Sequence, residues 1–406
     1  MVTRRQLLTG LGGGALTLGT GMWTNRTAWA QAAGTVTLPF ENGERPLVQY
    51  PGKRPLIQLT SRPPQLETPF SVFGEGAITP NDAFFVRYHL TLSPPEIDPD
   101  SFRLSVKGKV AKPVSLSLED LRREFEPVEL VAVNQCSGNS RGFSSPRVAG
   151  GQLAHGAMGN ARWRGVSLKA VLDRAGVLDG ARQVAFNGLD EPAVAETPDF
   201  AKALDIDHAR DGEVMLAYAM NGEDLPMLNG YPLRLVVPGY YGTYWVKHLH
   251  EITVLDGVFD GFWMKTAYRI PGNACACVVP GAKPATTVPI NRFNVRSFIT
   301  NLADGARVRA GGDVVIKGIA FDGGYGITDV TVSADGGRTW QAAKLGEDLG
   351  RYSFREWQAV VRLEPGKHAL QVRAVNRIGQ SQPLEQLWNP AGYMRNIVET
   401  VTVVAA

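Results

Sequence analysis

The chain has 406 residues, 44% of them hydrophobic and 20% charged, with a formal net charge of +3. That length suggests two or three domains around a large core, and the composition is that of an ordinary globular protein. A net charge so small, with no block of Lys and Arg on a helical pattern, gives no ground for a nucleic-acid binder.

The amino terminus, residues 1–30, reads as a leader. Thr3-Arg4-Arg5-Gln6-Leu7-Leu8 is a twin-arginine pattern, and the stretch from Leu7 to Met22 is too mildly apolar to span a membrane. Ala28-Trp29-Ala30 offers small residues for a signal peptidase, so cleavage after Ala30 is expected. Export of a folded protein to a periplasm follows, with no membrane span in the mature chain.

Residues 31–77 are Pro-rich and lack sustained periodicity, and read as an extended arm. A first domain, 78–270, opens on the turn Thr79-Pro80-Asn81-Asp82 and a strand from Phe84 to Leu90. Helices are predicted from Leu118 to Phe125 behind Ser117, and from Leu168 to Ala175 ahead of Gly176. Strands are predicted at Val128 to Val133, Gln183 to Phe186, Leu233 to Val237 and Glu251 to Leu255. The pattern is mixed α+β without a βαβ rhythm or a Gly-x-Gly-x-x-Gly turn, which speaks against a dinucleotide fold. Residues 271–294 read as a linker. From 295 to 406, strand-like runs recur between Asp322-Gly323-Gly324 and Asp335-Gly336-Gly337 turns, which predicts an antiparallel sandwich.

The chemistry centres on Asn134-Gln135-Cys136-Ser137-Gly138-Asn139-Ser140-Arg141. Cys136 sits where a strand breaks into a loop, a place that holds a side chain firmly while leaving its tip open. Arg141, five residues on, sets a permanent cation near the sulfur and favours thiolate. Such a sulfur serves as nucleophile, redox partner or soft metal ligand; the plainer alternative is an inert buried Cys. The other two cysteines, Cys275 and Cys277, are separated by one residue and are not expected to bridge. His208, His248, His250 and His368 show no metal-ligand spacing.

Five strings occur in order: Ala83 to Leu90, Asn134 to Arg141, Ala161 to Gly165, Ala217 to Gly222, and Tyr231 to Gly239. Together they resemble the molybdenum domain of the sulfite oxidase family, and Lys317 to Phe321 with Val332 to Trp340 resembles that family's immunoglobulin-like, dimer-forming domain. The resemblance implies an α+β molybdopterin-binding domain followed by a β-sandwich, with the metal held by a pyranopterin dithiolene and ligated by Cys136. It implies that Arg87, Arg141 and Tyr268 face the metal and substrate. It assigns the pterin and its phosphate to Phe85, Val86, Arg87, Tyr88, His89, Asp190, Arg234, Trp245, Val246 and Lys247, with Asn229 where the family has His. The family's substrate pocket also holds a Trp after the Cys; this chain has Gln152, Leu153, Ala154 and His155 there, with His155 as a candidate substitute.

The activity so implied is oxidation of sulfite to sulfate in a homodimer. There is no Cys-x-x-Cys-His and no added haem-sized domain, so no haem is expected and electrons should leave to a separate c-type cytochrome. Two rivals stand beside this reading. One is a molybdenum reductase of methionine sulfoxide or another S- or N-oxide; the other is a non-enzymatic periplasmic binding or assembly protein with a buried Cys.

Overall fold

The computed structural model describes residues 31–92, 94 and 96–406. The expected leader lies outside them. Among the described residues no helix is long and apolar enough to cross a membrane.

Strand dominates. The described α-helices are four, of seven, eight, four and four residues, so the α+β expectation is corrected to a mostly β architecture. Apolar runs here are short and closed by turns, leaving few windows long enough to set up a helical face. Helices form where capping favours them. Leu118–Glu124 starts on a capping box in which Ser117 and Asp120 exchange side-chain and backbone hydrogen bonds. Leu168–Ala175 buries Leu168, Val171, Leu172 and Ala175 on one face and ends at Gly176, whose φ of 70° lets its N–H reach the carbonyls of Leu172 and Asp173.

The segment expected to be an extended arm is a sheet. Gln31–Thr37, Glu44–Gln49, Leu56–Ser61 and Pro64–Glu67 pair antiparallel in chain order, and Val86–Arg87 adds the fifth strand. Pro51, Pro55 and Pro63 lie between strands and Pro64 opens one, so they leave the ladders intact while masking the pattern. The strand expected from Phe84 to Leu90 is reduced to Val86–Arg87.

Two further sheets carry the first domain. One runs in the order 201–205, 183–188, 249–255, 104–108, 114–116, with a parallel contact between 249–255 and 104–108. The other runs 223–224, 215–220, 158–167, 127–135, with 234–236 added to 215–220. The expected linker holds a small hairpin of Arg269–Pro271 and Thr287–Pro289. It also corrects the cysteine expectation: Cys275 and Cys277 are disulfide-bonded, with Cα atoms 5.1 Å apart. The bend that closes so small a ring places Ala276 at φ 48°. Asn273 brackets it, donating through Nδ2 to Cys277 O and accepting from Cys277 N.

The C-terminal region is a pair of sheets, one of four strands and one of five. They share a core of Ile316, Val330, Trp357, Leu370, Val372 and Val403. Phe298, Ile319, Phe321 and Phe354 face the other way and belong to the same apolar cluster as Phe73, Phe84 and Trp163 of the first domain. Each of these aromatic side chains is nearly fully buried, worth about 1.5–3 kcal/mol of transfer free energy for a Phe. The second domain is thereby welded to the first beside the cleft described next.

Candidate active site

Cys136 closes the strand Pro127–Gln135 and stands 8% exposed. Its loop is clamped from behind: Cys136 N donates to Ala157 O at 2.9 Å, Ser140 N to Ala154 O at 2.6 Å, and Ala157 N to Asn139 Oδ1 at 3.0 Å. Ser140, at φ 69°, turns the chain sharply away. The sulfur is therefore presented at a fixed position on the wall of a cleft.

The opposite wall comes from Phe85 to His89. Alternation in extended backbone sends Phe85, Arg87 and His89 into the cleft, while Val86 and Tyr88 point the other way. Val86 packs with Leu56 and Leu66 of the N-terminal sheet, and Tyr88 stacks on His248, with Oη 2.7 Å from its Nε2. Val86 and Tyr88, expected to bind the cofactor, back this wall rather than line it; the Lys247 ammonium lies 3.6 Å from the Tyr88 ring centre. His89 stacks on Phe200 at 3.7 Å and meets Tyr268 Oη at 2.6 Å through Nε2. Burial, with Arg87, Lys247 and Lys202 nearby, holds the His89 pKa well below the ordinary imidazole range.

The floor is polar. Arg234 donates to Asn229 O at 2.7 Å and Trp245 O at 3.3 Å, and lies over the rings of Trp163 and Trp245. Burial lowers its pKa to about 9. Asn229 donates to Phe85 O and accepts from the buried Lys53 at 2.5 Å. Lys247 donates to Arg87 O; burial lowers its pKa to about 7 against the opposing pull of Asp190, and burial raises Asp190 above the usual carboxylate range. Val246 is buried behind this wall and does not line it.

Residues 91–263 match the family described as oxidoreductase molybdopterin binding domain, and residues 287–405 the Mo-co oxidoreductase dimerisation domain. Sulfite oxidase from Gallus gallus is 35% identical over 354 residues, spanning 82% of this chain and 75% of that protein. The chain belongs to the sulfite oxidase family. Mitochondrial sulfite oxidase from Homo sapiens is also 35% identical, over 85% of this chain and 65% of its own length. Among solved structures, the sulfane dehydrogenase SoxCD from Paracoccus pantotrophus shares the fold, with a TM-score of 0.73 and 24% identity over 99% of this chain and 94% of that one.

The residues present suit the molybdopterin that a sulfite oxidase family site implies. Asn134 Oδ1, Ser137 Oγ, Arg234 Nε and Thr243 Oγ1 all belong to cleft-lining residues and are buried without a partner. Buried polar groups are normally paired, so four orphans around one cleft mark places kept for a polar ligand. The hydroxyls and the guanidinium fit a phosphate, and Asp190 fits a guanidine-like edge. Among the described residues no trio of His, Cys, Asp or Glu could hold a bare metal ion. A metal bound here must bring ligands of its own and take Cys136 as a further soft donor.

Ten expected residues line this cleft: Phe85, Arg87, His89, Cys136, Asp190, Asn229, Arg234, Trp245, Lys247 and Tyr268. Arg141 does not. Its Nε and Nη1 donate to Ala391 O and Gly151 O at 2.9 and 3.1 Å, which turns the guanidinium toward the C-terminal domain. His155 is likewise no pocket substitute: it stacks on Phe143 at 4.3 Å and bonds to Ser140 Oγ. Residues the sequence reading missed include Asn134 and Ser137, inside the very loop it singled out, and Thr243, the one aliphatic hydroxyl in the aromatic run Tyr240 to Trp245. Lys202 is another. Fully buried, its ammonium donates to Trp263 O and lies 5.3 Å from the Tyr268 ring centre.

Proposed function

We propose that the protein is a molybdenum-dependent sulfite dehydrogenase, converting sulfite and water to sulfate, two protons and two electrons. The observation that carries this reading is one free cysteine on the wall of a cleft lined by Arg87, Arg234 and Lys247, with Asp190 the one carboxylate among its lining residues. Such a lining suits a small anion beside a soft-ligated metal.

When bound, the cofactor supplies oxygen-atom transfer and takes up the electron pair. The chain's own residues do the rest. Arg87 attracts and orients the anion. Tyr268 is buried and its pKa raised, so it remains a neutral phenol. With the proton of His89 on Nε2, that imidazole donates to Tyr268 Oη and leaves the phenolic O–H for the substrate. Cys136 holds its position through the clamp at Ala154 and Ala157.

The same proposal places the protein in a periplasm, exported folded through its twin-arginine leader, with a c-type cytochrome taking the electrons. It makes the protein a homodimer through residues 287–405, whose two sheets are consistent with an immunoglobulin-like sandwich. Sulfite-dependent reduction of ferricytochrome c and ferricyanide, with methionine sulfoxide reduction run alongside, tests it. Sulfite turnover with cytochrome is expected. Sulfoxide reduction without sulfite turnover would reverse the assigned direction and sink the reading.

A further inference from the structure

The C-terminal domain sends one segment, Asn389 to Met394, back to the Cys136 loop. Asn389 clasps it, donating from Nδ2 to Tyr393 O at 2.8 Å and accepting from Tyr393 N at 3.1 Å. Met394 N donates to Ser137 O, next to Cys136, and Met394 O accepts from Asn294. Gly392, at φ 59°, lies so close to Arg141 that a Cβ there would meet the arginine's Cγ at 2.9 Å.

The segment delivers Tyr393. Its ring stacks on Tyr268, centroids 5.5 Å apart and 10° from parallel, and the Arg141 guanidinium lies 5.0 Å from its centre. Tyr268 lines the cleft together with Cys136 and Arg87, so the stacked Tyr393 ring lies directly behind that lining. Arg141, which the sequence pointed toward the substrate, holds this segment instead. The expected pocket Trp is missing, and His155, at the corresponding place, is turned away against Phe143.

We propose that Tyr393 is a substrate-contacting residue, a phenol lent by the C-terminal domain that completes the anion site beside Cys136 and narrows it to small tetrahedral or pyramidal oxyanions. The proposal rests on the sulfur-oxyanion reading above. A stacked pair of phenols backed by an arginine offers one more donor at a rim whose clasped backbone leaves it little freedom, and preorganised donors lose least on binding.

The test uses the molybdenum-loaded protein and its Tyr393→Phe and Tyr393→Ala variants. Sulfite kinetics are measured beside the equilibrium dissociation constant of sulfate, by calorimetry, as a readout independent of turnover. Tyr393→Phe keeps the ring and loses only the hydroxyl; it is expected to raise both the sulfite KM and the sulfate dissociation constant about tenfold or more, with kcat little changed. Tyr393→Ala is expected to weaken sulfate at least as much. Unchanged sulfate affinity and unchanged KM in Tyr393→Phe would overturn the proposal whatever Tyr393→Ala does to folding. Should the wild type bind sulfate without oxidising sulfite, the functional reading fails while the sulfate comparison still decides the role of Tyr393.

Discussion

His89 Nε2 and Tyr268 Oη meet at 2.6 Å, joining the Phe85 to His89 wall of the cleft to a residue just past helix 262–265. Both groups are buried and both stay neutral, the imidazole because burial and three cations disfavour its proton, the phenol because burial disfavours its anion. Tyr268→Phe removes the hydroxyl from both His89 and the substrate. Its kcat/KM for sulfite should fall about 10–100-fold, the worth of a hydrogen bond to a charged group, as steady-state kinetics will show. A value within twofold of wild type would take Tyr268 out of the site.

Replacing Cys136 by Ser should abolish sulfite oxidation while leaving pterin content near that of the wild type. On the proposed reading the cysteine would supply a metal ligand, whereas the pterin contacts would be spread over Arg234, Asp190 and Lys247. Parallel assays of molybdenum, pterin and turnover check this, and substantial residual turnover would refute the assignment of Cys136.

Arg234→Met should do the opposite, losing the pterin itself. The substitution keeps much of the volume between Trp163 and Trp245 but removes the guanidinium whose Nε points at no protein partner. Released pterin, oxidised to its fluorescent form, is expected at less than about one-tenth of the wild-type ratio, given about 1.5–3 kcal/mol for a charge-assisted contact.

Lys53→Met tests a brace outside the cleft. Lys53 Nζ donates to Asn81 O, Phe84 O and Asn229 Oδ1 from a 3% exposed position. Losing it strands two buried acceptors and a half-buried one, at a cost of about 3 kcal/mol. Denaturant unfolding should show that loss, and a change below about 1 kcal/mol would mean that Asn229 is held by other means.

Stability should fall on acidification below neutrality. Burial depresses the pKa of His89 well below its ordinary value, of His155 to about 4 and of His248 to about 3. These imidazoles stay neutral in the fold while the unfolded chain protonates them below about pH 6.5. The unfolded state therefore binds more protons, and their contribution, fully present above pH 6.5, drains away as pH falls toward the folded values, by about 1.4 kcal/mol per pH unit for each group. Glu67, raised to about 7 by burial, works against them: it is protonated in the fold before it is in the unfolded chain. Asp190, also raised by burial, adds to that opposition; three imidazoles outweigh these two carboxyls, so melting temperature should drop between pH 7 and 5. A flat profile would contradict the burial of these histidines.

Much of the site was legible because its pieces are local strings. The Cys136 loop, the alternating Phe85 to His89 stretch and the Arg234 strand each carry their chemistry within a few residues. Alternation alone would have moved Val86 and Tyr88 off the cleft wall. Other parts left no local trace. Lys202 looks like any surface lysine on a short strand until the fold buries it under Tyr268, and Tyr393 lies far along the chain from the Tyr268 ring on which it stacks. The N-terminal sheet was hidden for another reason: its strands are brief, and the prolines that suggested an arm turn out to punctuate a meander. The disulfide of Cys275 and Cys277 needed a backbone bend at Ala276 that composition does not announce.

The bonds that frame the cleft join residues far apart in the chain: 176 residues separate Lys53 from Asn229, 160 separate Tyr88 from His248, and 250 separate Arg141 from Ala391. Contacts of such long range close late, since each must overcome a large loop entropy before it returns any enthalpy. Folding therefore finishes at the place where chemistry begins. Before those contacts close, the Cys136 thiol, buried in the finished fold, lacks shelter from oxidants that would convert it to a sulfenic or higher acid. The interval between synthesis and domain closure is the period in which this protein is most easily spoiled.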